Sequence, residues 1–196
     1  MKSLLHLVCL TTTLCFSALA TGQSQFALNQ SFAALYEQEL GSTQKCLSSS
    51  ANRYAVCSPA LRGDGNAPFI LFQQPDSPIV VLTHGLSDSP FFVSAIADEL
   101  YDSGYTVIAP LLPGHGLKDA DAAMEDEQLA ERWQAHLAEV VELALQSTDK
   151  VVLGGFSTGG ALSVDYYLSN PDNVQGILLF SGALALNGNV ESLSKL

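Results

Sequence analysis

Ser157 is the residue of this chain that its neighbours best equip to act as a nucleophile. It lies in the run Gly155-Phe156-Ser157-Thr158-Gly159, between a strand predicted at Val151 to Gly154 and a helix predicted at Ala161 to Leu168. Such a strand-to-helix turn exposes the serine hydroxyl, and the flanking glycines let the backbone pass close by. The helix start offers unpaired amides, Thr158 N–H among them, to a developing oxyanion. The pattern predicts an acyl-serine intermediate; the alternative is a glycine-rich turn with an incidental serine.

A second loop predicts the other half of an oxyanion hole. The apolar run Ile79 to Thr83 has the pattern of a fully buried strand, and it ends in His84-Gly85-Leu86. At that strand end the backbone can aim the Leu86 N–H at the same oxyanion. Gly85 and His84 are predicted to support the loop, with His84 bracing the turn rather than acting as the general base.

A third loop, Pro113-Gly114-His115-Gly116, follows the strand predicted at Thr106 to Ala109. Its glycines suit a tight loop at the carboxyl edge of a sheet, where ligands bind in open α/β folds. We expect His115 to be a loop or rim residue, and His136, on the helix that carries Trp133, to be a surface or packing residue. No ligand pair has metal-binding spacing, so the sequence predicts no metal and no cofactor.

The elements that must position these loops alternate between strand and helix. Besides the strands named above, strands are predicted at Phe69 to Phe72 and Ile177 to Phe180. Helices are predicted at Leu28 to Leu40 and at Phe91 to Tyr101. An acidic connection, Asp119 to Glu127, leads into a further helix that runs to about Leu145. The last of these helices would bury a stripe of residues: Leu129, Trp133, Leu137, Val140, Val141 and Ala144. Alternation at this spacing predicts an α/β fold, with a mainly parallel sheet and helices on both faces.

Composition limits the function classes that remain. The 196 residues are 47% hydrophobic and 14% charged, which is typical of one globular domain. The net charge of −12 disfavours nucleic acid as a partner, because an acidic surface repels phosphate backbones. Solubility alone is a sufficient reason for that charge. Nothing in the sequence indicates an oligomeric state.

Residues 1–20 have the pattern of a secretory signal peptide. Lys2 supplies a positive charge, Leu4 to Phe16 is apolar, and Ala18-Leu19-Ala20 has small residues at the cleavage position. The sequence thus predicts an exported protein, periplasmic or extracellular, without a membrane span after cleavage. An uncleaved anchor would be short for a bilayer, and a lipoprotein would need a small residue before Cys9 or Cys15.

Cleavage would leave two cysteines, Cys46 and Cys57. An even, closely spaced pair in an exported chain predicts a disulfide, because the compartment is oxidising. Two free thiols are the alternative.

The three loops together resemble one family. Leu82-Thr83-His84-Gly85, Leu112-Pro113-Gly114-His115-Gly116, Trp133 and Gly155-Phe156-Ser157-Thr158-Gly159-Gly160 follow the order and spacing of α/β-hydrolases, and most resemble serine aminopeptidase-like hydrolases, monoacylglycerol lipases and small carboxylesterases. The resemblance covers about residues 68–185. It implies Ser157 as nucleophile and the Leu86 and Thr158 amides as oxyanion donors. We expect an N-terminal extension over 21–66, with a helix and the disulfide loop, and a partial hydrolase domain over 67–196.

The departure from the family lies after Ser157. The resemblance implies an Asp or Glu and then a His at later strand ends. No histidine follows Ser157, and neither Asp165 nor Asp172 lies at a later strand end. The chain is predicted to be a fragment, incomplete at the C-terminal side, of an enzyme that hydrolyses lipid-like or short-chain carboxylic esters. The alternatives are a naturally short relative that binds without turnover, an inert fragment, or a peptidase or amidase of the same fold.

Overall fold

The computed structural model describes residues 24–184, which form one seven-stranded sheet with helices on both sides. The predicted signal peptide, residues 1–20, lies outside the described residues. The strand order is β1-β2-β3-β5-β4-β6-β7. The strands are β1 (Gln44–Lys45), β2 (Arg53–Cys57), β3 (Phe69–Leu71), β4 (Ile79–Thr83), β5 (Thr106–Ala109), β6 (Val151–Phe156) and β7 (Gly176–Phe180).

The sheet is parallel where the predicted βαβ units lie. β4 pairs in parallel with both β5 and β6, and β6 pairs in parallel with β7. β1, β2 and β3 add an antiparallel half, which joins the parallel half where β3 pairs with β5. The predicted strands are confirmed, and the Gly63 to Asn66 region that precedes β3 holds a 3₁₀ turn at Asp64–Asn66.

Helices lie on both faces of the sheet because successive connections between strands run in opposite directions along the strand order. They are α1 (residues 24–34), α2 (Glu37–Leu40), α3 (Pro90–Asp102), α4 (Asp121–Met124), α5 (Leu129–Leu145) and α6 (Thr158–Ser169). The step from β4 to β5 and the step from β5 to β6 run in opposite directions. Since such crossovers are right-handed, α3 lies on one face, while α5 and α6 pack together on the other.

The core includes every residue of the stripe predicted on α5 (Leu129, Trp133, Leu137, Val140, Val141 and Ala144). The central strands are buried on both faces: β4 is buried at all five positions and β5 at all four. This explains their continuous apolar runs. The α/β-hydrolase architecture predicted from the sequence is confirmed.

The N-terminal helix differs from its prediction. The sequence pattern predicts one helix over Leu28 to Leu40, but α1 and α2 are separated by a turn at Leu35 and Tyr36. The Tyr36 amide bonds to the Ala33 carbonyl, three residues back, so the backbone tightens there. The turn does not change which side chains face the core, because Leu28, Phe32, Tyr36 and Leu40 are all buried.

Residues 24–66 share the sheet and the core with the rest of the described chain. β2 pairs with β3, and Cys46 and Cys57 form a disulfide with a Cα–Cα distance of 5.0 Å. The predicted disulfide is therefore present, and it joins the start and end of the short β1–β2 hairpin. Within residues 24–184, the structure contains no helix with the length and apolar character needed to cross a bilayer.

Candidate active site

Ser157 occupies a strained turn between β6 and α6. Its backbone has φ 51° and ψ −112°, in the left-handed region that non-glycine residues rarely adopt. Its amide donates to the Phe180 carbonyl of β7 at 3.1 Å, and its carbonyl accepts the amides of Gly160 and Ala161. The neighbouring strand and the first turn of the helix thus fix the conformation, and they leave the side chain half-buried at the end of the sheet.

The two glycines of the turn are required by close backbone contacts. A Cβ on Gly155 would overlap the backbone of Gly159 and Gly160. A Cβ on Gly159 would overlap the carbonyl oxygens of Thr83 and His84. The start of α6 therefore packs directly against the ends of β6 and β4, as the sequence predicts for Gly155 and Gly159.

The His84-Gly85-Leu86 loop lies beside Ser157. A Cβ built on Gly85 would be 3.3 Å from the Ser157 Cβ and 3.1 Å from the Phe156 ring. Within residues 24–184, neither the Leu86 amide nor the Thr158 amide donates to a protein acceptor. The structure thus places Gly85 beside the Ser157 side chain, one residue before the predicted donor amide of Leu86.

His84 aims one of these amides. It is completely buried; its Nδ1 lies 2.8 Å from the Gly85 carbonyl oxygen and its Nε2 accepts the Leu112 N–H at 3.1 Å. The proton therefore resides on Nδ1, and burial lowers the pKa of His84 to about 3, so the ring is neutral. In a planar trans peptide, C=O and N–H point in opposite directions. By holding the Gly85 carbonyl, His84 turns the Leu86 N–H away from its own ring.

His115 is only 3% exposed, so of the two predicted positions, in the loop or on the rim of the site, it occupies the loop. Its Nε2 lies 2.7 Å from the Leu86 carbonyl oxygen, and its Nδ1 lies 3.1 Å from the Pro113 carbonyl oxygen. The ring packs edge-on to His84 and beside Trp133, whose Nε1 donates to the Pro113 carbonyl. His115 is drawn inward because the loop folds back over these rings.

The hydrogen bonds that Ser157 makes within residues 24–184 are those of its backbone amide and carbonyl. The ring nitrogens of His84 and His115 face other groups, as described above. His136 is buried, which confirms its packing role, and its Nε2 contacts the Tyr36 hydroxyl at 3.3 Å. Residues 24–184 contain no cluster of side chains able to hold a metal ion. The described histidines therefore support the loops and leave the serine unpaired.

The surroundings of the serine are partly apolar and exposed. The Leu86 side chain is 51% exposed and the Phe156 side chain 37%. Phe156 precedes Ser157 in the chain, and Leu86 follows Gly85, on which an added Cβ would lie 3.3 Å from the Ser157 Cβ. An apolar group attached to an acylated serine would find contact surface here.

Sequence reasoning missed two residues that support the site from a distance. The Tyr36 hydroxyl accepts the Leu111 N–H at 3.2 Å, and a Glu39 oxygen accepts the Gly114 N–H at 2.9 Å. Each pair is separated by 75 residues, and no motif in the chain predicts such a contact. A buried tyrosine on an apolar helix face gives no sign of its hydroxyl partner.

Comparisons with known proteins agree with this geometry. The family model described as "Serine aminopeptidase, S33" matches residues 74–196. A thermostable monoacylglycerol lipase from Bacillus sp. (strain H-257) is 30% identical over 105 residues, which cover 54% of this chain and 40% of the lipase.

Two solved structures are also similar. A structure from work on the metagenome-derived lipolytic enzymes LipS and LipT has a TM-score of 0.54 at 28% identity, covering 61% of this chain and 48% of its own. A monoacylglycerol lipase from Paleococcus ferrophilus has a TM-score of 0.49 at 28% identity, covering 60% of this chain and 44% of its own. The chain thus spans less than half the length of these relatives. Because the family model matches more than half of the chain, and matches it across the serine turn, the chain belongs to the serine aminopeptidase S33 family of α/β-hydrolases.

Proposed function

We propose that this chain provides the nucleophile and the oxyanion hole of a carboxylic-ester hydrolase. One observation carries the proposal: Ser157 is held in a left-handed turn beside two amides, of Leu86 and Thr158, that donate to no acceptor within residues 24–184. Hydrogen-bond donors fixed in advance around a nucleophile stabilise the charge that develops on a carbonyl oxygen during acyl transfer.

The proposed reaction has two halves. The Ser157 oxygen attacks the ester carbonyl carbon while a general base removes the hydroxyl proton, and the carbonyl oxygen becomes the oxyanion held by Leu86 N–H and Thr158 N–H. The carbonyl then reforms, the bond to the alcohol oxygen breaks, and the base returns the proton to the leaving alkoxide. Water repeats the sequence on the acyl-serine and releases the carboxylic acid.

The general base of this reaction is not one of the histidines in the described part of the chain. His84, His115 and His136 each have ring nitrogens engaged elsewhere, and His84 and His136 have pKa values lowered by burial to about 3 and about 4. We expect the base to come from outside residues 24–184. A chain supplied with no base would retain only the residual catalysis of its oxyanion hole and binding surface.

The substrate is proposed to be a lipid-like or short-chain acyl ester. The exposed Leu86 and Phe156 side chains support an apolar acyl group, and the curated relative above is named as a monoacylglycerol lipase. The test is incubation with p-nitrophenyl esters of short and medium acyl chains, followed by nitrophenol release and the mass of the intact protein. Acylation of the chain, and its loss in Ser157→Ala, would support the proposal; an amide substrate that acylates faster than any ester would favour the peptidase alternative.

A secreted binding module is the rival function, and one observation favours it: the ring nitrogens of the described histidines contact groups other than Ser157. A module of this kind would bind an ester or its acid product at the same amides without forming a covalent bond. Saturable binding by a folded chain that is never acylated would identify it.

We also propose that the protein is exported. The Cys46–Cys57 disulfide supports this, since structural disulfides persist in oxidising compartments. The N-terminal sequence of protein recovered from the periplasm or medium tests it: a start near residue 21 supports export through the signal peptide, and recovery from the cytosol with Met1 retained contradicts it.

A further inference from the structure

The segment that precedes the family match reaches into the supports of the candidate site. The match begins at residue 74, whereas α1 and α2 lie within residues 24–40. From the turn between these helices, the Tyr36 hydroxyl accepts the Leu111 N–H, and from α2 a Glu39 oxygen accepts the Gly114 N–H. We call residues 111–116 the β5 loop, because they follow strand β5. The extension thus contacts the β5 loop at two backbone amides.

Tyr36 is fixed on all sides. Its side chain is 1% exposed, and its ring packs edge-on to Phe32 and to His136. Burial raises the pKa of the Tyr36 hydroxyl, so it keeps its proton, while the neutral His136 can accept that proton at Nε2. The hydroxyl oxygen thus accepts the Leu111 N–H at 3.2 Å and lies 3.3 Å from His136 Nε2, so polar contacts on two sides hold it in place.

The Glu39 carboxylate is held in place by the guanidinium of Arg132. One carboxylate oxygen accepts the Gly114 N–H, and the other pairs with Arg132 of α5. The same guanidinium donates to Asp126 at 2.8 Å. A carboxylate fixed by a guanidinium is a strong and directional acceptor for a backbone amide.

The β5 loop carries this restraint to the candidate oxyanion hole. Leu112, next to the residue that Tyr36 holds, donates its amide to His84, which orients the Gly85–Leu86 peptide. His115, next to the residue that Glu39 holds, contacts the Leu86 carbonyl. The peptide group before Leu86 is therefore held by His84, and the carbonyl of Leu86 itself by His115. Each histidine is linked to β5 loop residues that the N-terminal extension holds in place.

We propose that Tyr36 and Glu39 are positioning residues, which set the direction of the Leu86 amide through the β5 loop and its two histidines. This inference rests on the proposed role of Leu86 N–H as an oxyanion donor. Packing alone does not require these residue types: Phe32 of α1 and Leu40 of α2 are buried on either side of the turn, and their side chains are apolar and form no hydrogen bond. Tyr36 and Glu39 instead supply the acceptors that two loop amides need.

The experiment compares Tyr36→Phe and Glu39→Ala with two controls. Phe32→Leu keeps an apolar side chain against the Tyr36 ring and removes no hydrogen bond to the loop. Glu39→Gln keeps a side-chain oxygen for the Gly114 amide and should recover most of what Glu39→Ala loses. Each variant is studied as the full chain by amide and imidazole NMR and by the kinetics of reaction with a fluorophosphonate, which separate its binding constant from its rate of bond formation.

We expect Tyr36→Phe and Glu39→Ala to shift the Leu86 amide and His84 Nδ1–H resonances. We also expect them to slow bond formation at Ser157 about tenfold with an unchanged binding constant. Phe32→Leu should lower stability without either effect.

Unshifted Leu86 and His84 resonances in folded Tyr36→Phe and Glu39→Ala would overturn the inference, as would equal effects in Phe32→Leu. If Tyr36→Phe fails to fold, the comparison of Glu39→Ala with Glu39→Gln decides the question. If the wild-type chain never reacts with the fluorophosphonate, the proposed function fails, while the resonances still report whether the extension positions Leu86.

Discussion

The backbone of Gly155 lies directly against the backbone of Gly159, on the other side of the turn that carries Ser157. This contact lets the end of β6 and the start of α6 approach closely enough to force Ser157 into its left-handed conformation. The geometry of the turn at Ser157 therefore depends on the absence of a Cβ at Gly155.

Gly155→Ala should destroy this turn. The added methyl group would overlap the backbone of Gly159 and Gly160, which no side-chain movement can relieve. We expect a loss of more than about 3 kcal/mol in the free energy of unfolding, measured by urea titration. Gly63→Ala is the matched control, because a Cβ there meets nothing within 4 Å. Similar losses in both variants would contradict the close contact.

His84→Phe should weaken both stability and reactivity. The side chain stays aromatic, but the Leu112 N–H loses its acceptor and the Gly85 carbonyl loses its imidazole donor. We expect a loss of about 2 kcal/mol in unfolding free energy and a drop of about tenfold in the rate of fluorophosphonate reaction. His84→Gln retains a donor and an acceptor and should recover part of both. A variant that is destabilised but reacts at the wild-type rate would show that His84 does not orient the Leu86 amide.

The Cys46–Cys57 disulfide should stabilise the fold. It closes a loop with a sequence separation of 11, which the chain-entropy account converts to about 3 kcal/mol. Reduction of the wild-type chain should lower the free energy of unfolding by about this amount. The double variant Cys46→Ala/Cys57→Ala should have the lower free energy of unfolding without reductant, and adding reductant should not change it. A reductant effect that persists in the double variant would place the source of the stabilisation elsewhere.

Acid should destabilise the fold partly through His136. Burial lowers its folded-state pKa from 6.5 to about 4, so between these values the unfolded chain binds a proton that the folded chain does not. The unfolding free energy therefore falls as the pH falls through this window. Between about pH 7 and about pH 5, His136→Gln should lose roughly 2 kcal/mol less than the wild type. Equal losses in urea titrations at the two pH values would contradict the lowered pKa.

The sequence could predict the elements that repeat a local pattern. The buried runs of β4 and β6, the glycines around Ser157 and the stripe on α5 each follow from the spacing of neighbouring residues. What it could not predict depends on contacts between distant residues. The turn at Tyr36 forms where its hydroxyl reaches Leu111, and His115 is buried because it meets His84 and Trp133. The antiparallel strand β2 is short and only partly apolar, so its place in the sheet emerges from pairing with β3.

The central claim is that Ser157 is a nucleophile placed beside an oxyanion hole, and its reaction with a fluorophosphonate tests this most directly. In that reaction the serine oxygen bonds to phosphorus, fluoride leaves, and the hydroxyl proton passes to a base in solution. The measurement is the mass of the folded chain and of its peptides after labelling. The account predicts one adduct, on Ser157, that disappears in Ser157→Ala while the variant stays folded. A folded wild-type chain that gains no adduct, or gains it on another serine, would contradict it.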